Sequence, residues 1–150
     1  RYLATLPYVD KDRIGIYGWS FGGYLTLLAM TLGADYFKLG VSGAPVTKWE
    51  LYDAIYTERY MRTPDVNPDG YGAASVFTHL DMLKGKLLLI HGMSDDNVHV
   101  QNSMQLVEAM QKAGKRFELM VYPGKDHGVA GEKTKLHLWK TMSEFIFENL

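Results

Sequence analysis

The feature that most narrows the possible folds is the hexad Gly18-Trp19-Ser20-Phe21-Gly22-Gly23. It follows a short apolar run, Arg13-Ile14-Gly15-Ile16-Tyr17, and leads into Tyr24-Leu25-Thr26-Leu27-Leu28-Ala29-Met30. This is a G-x-S-x-G pattern between a strand and a helix, the context that gives the pattern its meaning. A serine on so sharp a turn takes a strained backbone conformation that only small neighbours tolerate. Gly18 and Gly22 remove side chains that would collide across the turn, and Gly23 lets the helix approach the strand. The Ser20 hydroxyl is then held clear of the sheet, open to a base and a substrate. The plain alternative is a glycine-rich turn with an incidental serine, and the rest of the chain decides between the two.

Residues 1–6 read as the last turns of a helix stopped by Pro7. With no initiator methionine and no signal-peptide character there, the chain is expected to be the C-terminal piece of something longer. Strands are expected at 13–17, 39–43, 86–90 and 117–122, and helices from the hexad to about Leu32, from about Val100 to Ala113, and over 132–149. The central helix is expected to bury Val100, Met104, Val107 and Met110, and the last one Leu136, Trp139, Met142 and Ile146. Thr47-x-x-Glu50 has capping-box spacing, and the helix it would start puts Trp49, Tyr52 and Tyr56 on one face. Residues 62–72, rich in Pro, Asn, Asp and Gly, read as an irregular surface loop, followed by a short helix over 73–77. The alternation implies an α/β fold, a parallel sheet with helices on both faces, and functional groups at the carboxyl ends of its strands.

At 150 residues the chain is one domain or less, and 47% apolar residues suffice for a real core. A net charge of −1 gives no electrostatic case for nucleic acid or an anionic membrane, and no apolar run is long enough to span a bilayer. Without cysteine the redox compartment stays open.

Three polar turns follow strands in the order Ser20, Asp95, His127, the order of α/β-hydrolases. Serine is a poor nucleophile until a base takes its proton, and His127 is the candidate base. Its far nitrogen needs an acceptor that fixes the tautomer and stabilises the imidazolium, a role for Asp95. Each has a plainer reading: a loop histidine is usually solvated, and Asp95-Asp96-Asn97 before a helix is usually a cap, as Asp96 and Asn97 are expected to be. The other histidines, at 79, 91, 99 and 137, lack the matching position. The N–H of Phe21, directly after the nucleophile, points where an oxyanion would develop, while its ring has a plain reading as core. Neither histidines nor carboxylates show metal-ligand spacing, so no metal or cofactor is expected.

The segment Gly18–Tyr24 resembles the nucleophile region of the prolyl oligopeptidase family of serine peptidases, nearest its dipeptidyl peptidase IV branch. The resemblance continues through 43–53 and 56–61, resumes at His91-Gly92-Met93-Ser94-Asp95-Asp96-Asn97-Val98-His99, and returns at Asp126-His127-Gly128. It implies Ser20, Asp95 and His127 as catalytic residues and selects Asp95 over Asp96. It also implies that Trp49, Tyr52 and Tyr56, with Val46 and Val98, form the pocket for the residue before the scissile bond. Flat aromatic walls suit a rigid pyrrolidine ring. On the same ground Asn97 holds a substrate carbonyl. From the residues alone, Trp49, Tyr52 and Tyr56 read more simply as a helix core.

Phe21 stands where many relatives have tyrosine. The family's β-propeller and first hydrolase strands have no counterpart in residues 1–150. Those parts carry the glutamates that bind a free amino terminus and the tyrosine that supplies the second oxyanion donor. The implied protein is a serine exopeptidase releasing N-terminal X-Pro or X-Ala dipeptides, a homodimer at full length. Its compartment is open, with periplasmic or secreted favoured over cytoplasmic. The competing readings are an oligopeptidase or acylaminoacyl-peptidase of the same family, and a catalytically silent interaction module. The strand over 13–17 would have an unpaired edge, expected to be covered by preceding chain or by a neighbouring copy.

Overall fold

A computed structural model describes residues 2–150. Four strands form one wholly parallel sheet in the order β1 (Gly15–Trp19), β2 (Leu39–Gly43), β3 (Lys86–Gly92) and β4 (Glu118–Tyr122). Among the described residues five α-helices surround it: α1 (Phe21–Thr31), α2 (Ala54–Met61), α3 (Pro68–Ala74), α4 (Gln101–Lys112) and α5 (Glu132–Asn149). The fold is α/β. The sequence pattern locates β2 and α5 to the residue, whereas the first strand lies two residues later than 13–17. Tyr2–Thr5 is a 3₁₀ turn; Arg1, part of the expected helix end, lies outside the described residues.

Strand β3 explains the layering. Its side chains alternate between faces, so Leu87 and Leu89 join one cluster while Leu88 and Ile90 join another. The first cluster is closed by Tyr24, Leu27 and Met30 of α1 and by Leu106 and Met110 of α4. The second is closed by Leu138, Met142 and Phe145 of α5. Covered on both sides, β3 is apolar from Leu87 to Ile90, as a central parallel strand is.

Several expectations fail for identifiable reasons. The capping box does not form, because Thr47 is buried and its hydroxyl donates to Asn102 O at 3.0 Å instead. Its own N–H donates to Asn102 Oδ1, also at 3.0 Å. The expected single helix becomes a 3₁₀ turn at Trp49–Leu51, an extended Tyr52, and then α2. Residues 62–72 are not all loop. Asn67 caps α3 by accepting from Gly70 N at 3.1 Å, Pro68 occupies the first turn, and Tyr71 is buried. The expected helix over 73–77 is divided between the end of α3 and a 3₁₀ segment, Val76–Met82. On α4 the buried residues are Asn102, Ser103, Leu106 and Met110, and Met104 faces outward. On α5, Leu136 and Trp139 are exposed and the buried face is Leu138, Met142 and Phe145.

Every strand runs the same way, so the register Trp19–Gly43, Gly43–Ile90 and Gly92–Tyr122 brings all four carboxyl ends to one edge of the sheet. Among the described residues β1 pairs only with β2, which leaves its outer edge unpaired, with Tyr17 half exposed. An open parallel edge templates further pairing. The isolated 150-residue chain is therefore expected to self-associate, as sedimentation velocity over a concentration series would show. A monodisperse monomer at all concentrations would contradict this.

Candidate active site

Ser20 occupies the turn between β1 and α1 with φ 60° and ψ −121°. For a side chain with a Cβ this conformation costs on the order of 1–3 kcal/mol. The surroundings impose it: Ser20 N donates to Gly43 O at 2.8 Å and Tyr24 N to Ser20 O at 3.0 Å. A Cβ on Gly18 would overlap the Gly22 backbone, and one on Gly23 would overlap Gly43 O. The buried Ser42 hydroxyl donates to Gly23 O at 2.9 Å, tying the first turn of α1 to β2. Phe21 opens α1, so its N–H has no intrahelical acceptor.

Asp95 lies in the loop after β3 with its carboxylate wholly buried. Oδ1 accepts from Asn97 N at 3.0 Å and from Val98 N at 2.9 Å. Oδ2 lies 2.7 Å from Nδ1 of His127, in the loop after β4. A carboxylate accepts, so Nδ1 carries the hydrogen and Nε2 is left as the basic nitrogen. Backbone bonds join the two loops, from Met93 N to Tyr122 O at 3.0 Å and from Ser94 N to Lys125 O at 2.9 Å. Asp126 Oδ1 braces the histidine loop by accepting from Gly128 N at 3.1 Å and Ala130 N at 3.3 Å.

The Ser20 turn is also tied to that loop. Trp19 Nε1 donates to His127 O at 2.8 Å, and the Trp19 ring lies over Gly43, where a Cβ would overlap it. Neither contact is evident from the sequence, where Trp19 reads only as the variable residue of the motif. Asp96 and Asn97 do not cap α4: its N-cap is Val100, without a side-chain cap bond. Asn97 instead accepts on Oδ1 from the Tyr52 hydroxyl at 2.8 Å, which leaves its amide N–H groups to donate elsewhere. Burial, followed by the charges of Asp53, Tyr56 and Asp95, pushes the Tyr52 phenol up, so it stays a donor.

The aromatics meet without sharing one helix face. Trp49 stacks on Tyr56 at 6.1 Å and 25°, and Tyr52 meets both rings edge-on at 6.0 and 5.5 Å. A cavity of about 370 Å³ is lined by Phe21, Tyr24, Trp49, Tyr56, Thr57, Tyr60 and Met61. The Phe21 ring is thus a half-exposed cavity wall rather than core. Of the six residues expected to bind substrate, Trp49 and Tyr56 line this cavity. Val46 and Val98 are buried in the core cluster that includes Trp49, and Tyr52 and Asn97 pair with each other.

Sequence reasoning missed His91. Strand parity places it on the α4 side of β3, fully buried. Nδ1 lies 2.6 Å from Ser103 Oγ, and Nε2 lies 2.7 Å from Val98 O and 3.2 Å from Asp95 Oδ2. The run Leu87, Leu89, His91 at period 2 was the available signal. Burial lowers its pKa, outweighing the bond to Val98 and the neighbouring Asp95, which act the other way. Among the described residues, no cluster of three or more His, Cys, Asp or Glu is placed to hold a metal ion, and no helix is long and apolar enough to cross a membrane.

The model of the prolyl oligopeptidase family matches residues 1–150. Dipeptidyl peptidase 4 of Bos taurus is 44% identical over 149 residues, covering 97% of this chain and 20% of the relative. Dipeptidyl peptidase 8 of Homo sapiens is 41% identical over 152 residues, covering 96% and 17%. The crystal structure of Porphyromonas gingivalis dipeptidyl peptidase 4 superposes with a TM-score of 0.96 at 46% identity, covering 98% of this chain and 21% of that one. The chain thus spans about a fifth of the length of the relatives it matches.

Two expectations follow from the geometry. A methyl group at Gly43 has no room under Trp19, so Gly43→Ala should destabilise the fold by about 1–3 kcal/mol, measured by urea unfolding. His91 binds a proton more readily unfolded than folded, so its contribution is complete above about pH 6.5 and is lost as pH falls below that. The urea midpoint should therefore drop more steeply on acidification in the wild type than in His91→Gln.

Proposed function

The chain belongs to the prolyl oligopeptidase family, and from that premise we propose that it carries the catalytic machinery of a serine-type dipeptidyl peptidase. Ser20 attacks the carbonyl of the scissile bond while His127 Nε2 takes its proton. Asp95 holds the imidazole in the correct tautomer and stabilises the imidazolium that forms. The Phe21 N–H donates to the developing oxyanion. His127 then protonates the leaving amine, and water, activated in the same way, releases the acyl group from Ser20.

The observation that carries this reading is the 2.7 Å contact from His127 Nδ1 to a buried Asp95, tied through Trp19 to a serine on a strained turn. The aromatic group supports specificity for N-terminal X-Pro, and secondarily X-Ala, dipeptides. Rigid rings lining a compact cavity favour a pyrrolidine, which has little entropy to lose. Asn97, oriented by Tyr52, is assigned to a substrate backbone carbonyl, with Val46 and Val98 backing the pocket. Residues 1–150 are read as the C-terminal part of the hydrolase domain of a longer protein. A β-propeller and further hydrolase strands in that protein would supply the amino-terminus recognition and the second oxyanion donor. In the same reading the full-length protein is a homodimer.

The test uses the full-length protein. A fluorophosphonate probe should label the wild type and not Ser20→Ala, which should lose at least about 10³-fold in kcat/KM. X-Pro peptides with a free amino terminus should be cleaved far faster than N-acylated ones. Equal cleavage of both overturns the exopeptidase assignment in favour of an oligopeptidase or acylaminoacyl-peptidase. An unlabelled wild type would instead mark a silent interaction module.

A further inference from the structure

We propose that His91 is a positioning residue for the triad, holding the Asp95 carboxylate in the orientation that presents Oδ2 to His127. This rests on the triad assignment above and adds a residue to it. The hydrogen positions follow from the partners. A backbone carbonyl only accepts, so the 2.7 Å contact with Val98 O places the hydrogen on Nε2. Nδ1 then accepts from the Ser103 hydroxyl at 2.6 Å. The same protonated Nε2 lies 3.2 Å from Asp95 Oδ2, the oxygen that also faces His127 Nδ1 at 2.7 Å. His91 is neutral in this arrangement, consistent with the lowering of its pKa by burial. The titratable groups bearing on it are Asp95, which favours its protonation, and His127, which opposes it.

Two constraints meet at Asp95. Backbone N–H groups of residues 97 and 98 hold Oδ1, and His91 and His127 face Oδ2. Rotation of the carboxylate about its χ2 axis would carry Oδ2 away from His127, and it is opposed at both oxygens. His91 also ties the turn together, since Val98 donates to Asp95 through its N–H and accepts from His91 through its C=O. Val98 O and the Asp95 carboxylate only accept and so disfavour the other tautomer, in which an unprotonated Nε2 would face both, while the Ser103 hydroxyl, buried on α4, anchors Nδ1.

A residue acting through Asp95 changes turnover more than substrate binding. The test measures kcat and KM on full-length protein, with kcat expressed per serine titrated by the fluorophosphonate, so that unfolded molecules do not count. His91→Leu should lower kcat per titrated site by about tenfold or more, with KM within about twofold of wild type. His91→Gln retains an amide N–H within reach of Val98 O and should recover most of the lost turnover. Ser103→Ala leaves His91 in place and should lower kcat by a smaller factor with KM unchanged, which keeps the test open if His91→Leu yields no folded protein. Wild-type turnover per site in His91→Leu, or His91→Gln no better than His91→Leu, or an unaltered Ser103→Ala where the leucine variant does not fold, would overturn the proposal. Failure of the wild type to be labelled would instead overturn the triad assignment.

Discussion

A carboxylate withdrawn from water has to be surrounded by donors, and the carboxyl edge of this sheet is built around that requirement at Asp95. Moving such a charge out of water costs several kcal/mol unless hydrogen bonds replace its hydration. Here two backbone N–H groups and the His127 imidazole replace it, with the protonated Nε2 of His91 3.2 Å from Oδ2. The donors come from three places: the tight turn after β3, the end of β3 itself, and the loop after β4. Satisfying one buried group thus determines how three pieces of chain sit against each other. The Ser20 turn joins the arrangement through the Trp19 indole, which bonds to the backbone of His127 itself.

The sheet was legible because its determinants are local. Small residues in 39–43 and the apolar run from Leu87 to Ile90 read directly as buried strands. The hexad also supplies its own evidence at Gly18 and Gly23, where a Cβ would overlap the Gly22 backbone and Gly43 O; Gly22, expected to be small for the same reason, has open space where a Cβ would sit. Strand β1 lies two residues later than expected, and the upper part of β3 was also misjudged. Its polar residue His91 ended the apolar run, yet it continues the same face as Leu87 and Leu89.

Where the sequence misled, long-range polar contacts or two competing patterns were responsible. Thr47 has the spacing of a cap, but Asn102, fifty-five positions later, claims both its N–H and its hydroxyl. The helix expected there breaks into two pieces, and Trp49, Tyr52 and Tyr56 meet by a change of direction at Tyr52 rather than by period. Along α5 two apolar stripes have acceptable helical spacing, one through Leu136 and Trp139 and one through Leu138, Met142 and Phe145. Only the position of the sheet decides which is buried. Asp96 and Asn97 were expected as caps of α4, yet it is Asp95 whose carboxylate accepts two backbone N–H groups, within a turn that precedes the helix.

The two loops that carry the aspartate and the histidine are joined by main-chain atoms, at Met93 with Tyr122 and at Ser94 with Lys125. Side chains at those four positions take no part in these bonds. The spacing between Asp95 and His127 is therefore insulated from sequence drift at the outer positions: Met93, Ser94 and Lys125 can be exchanged for solubility, charge or partner contacts while the peptide groups keep the same distance, whereas Tyr122 is buried and bonds His137. Such insulation lets a lineage vary that rim without moving the contact between Asp95 and His127 beneath it.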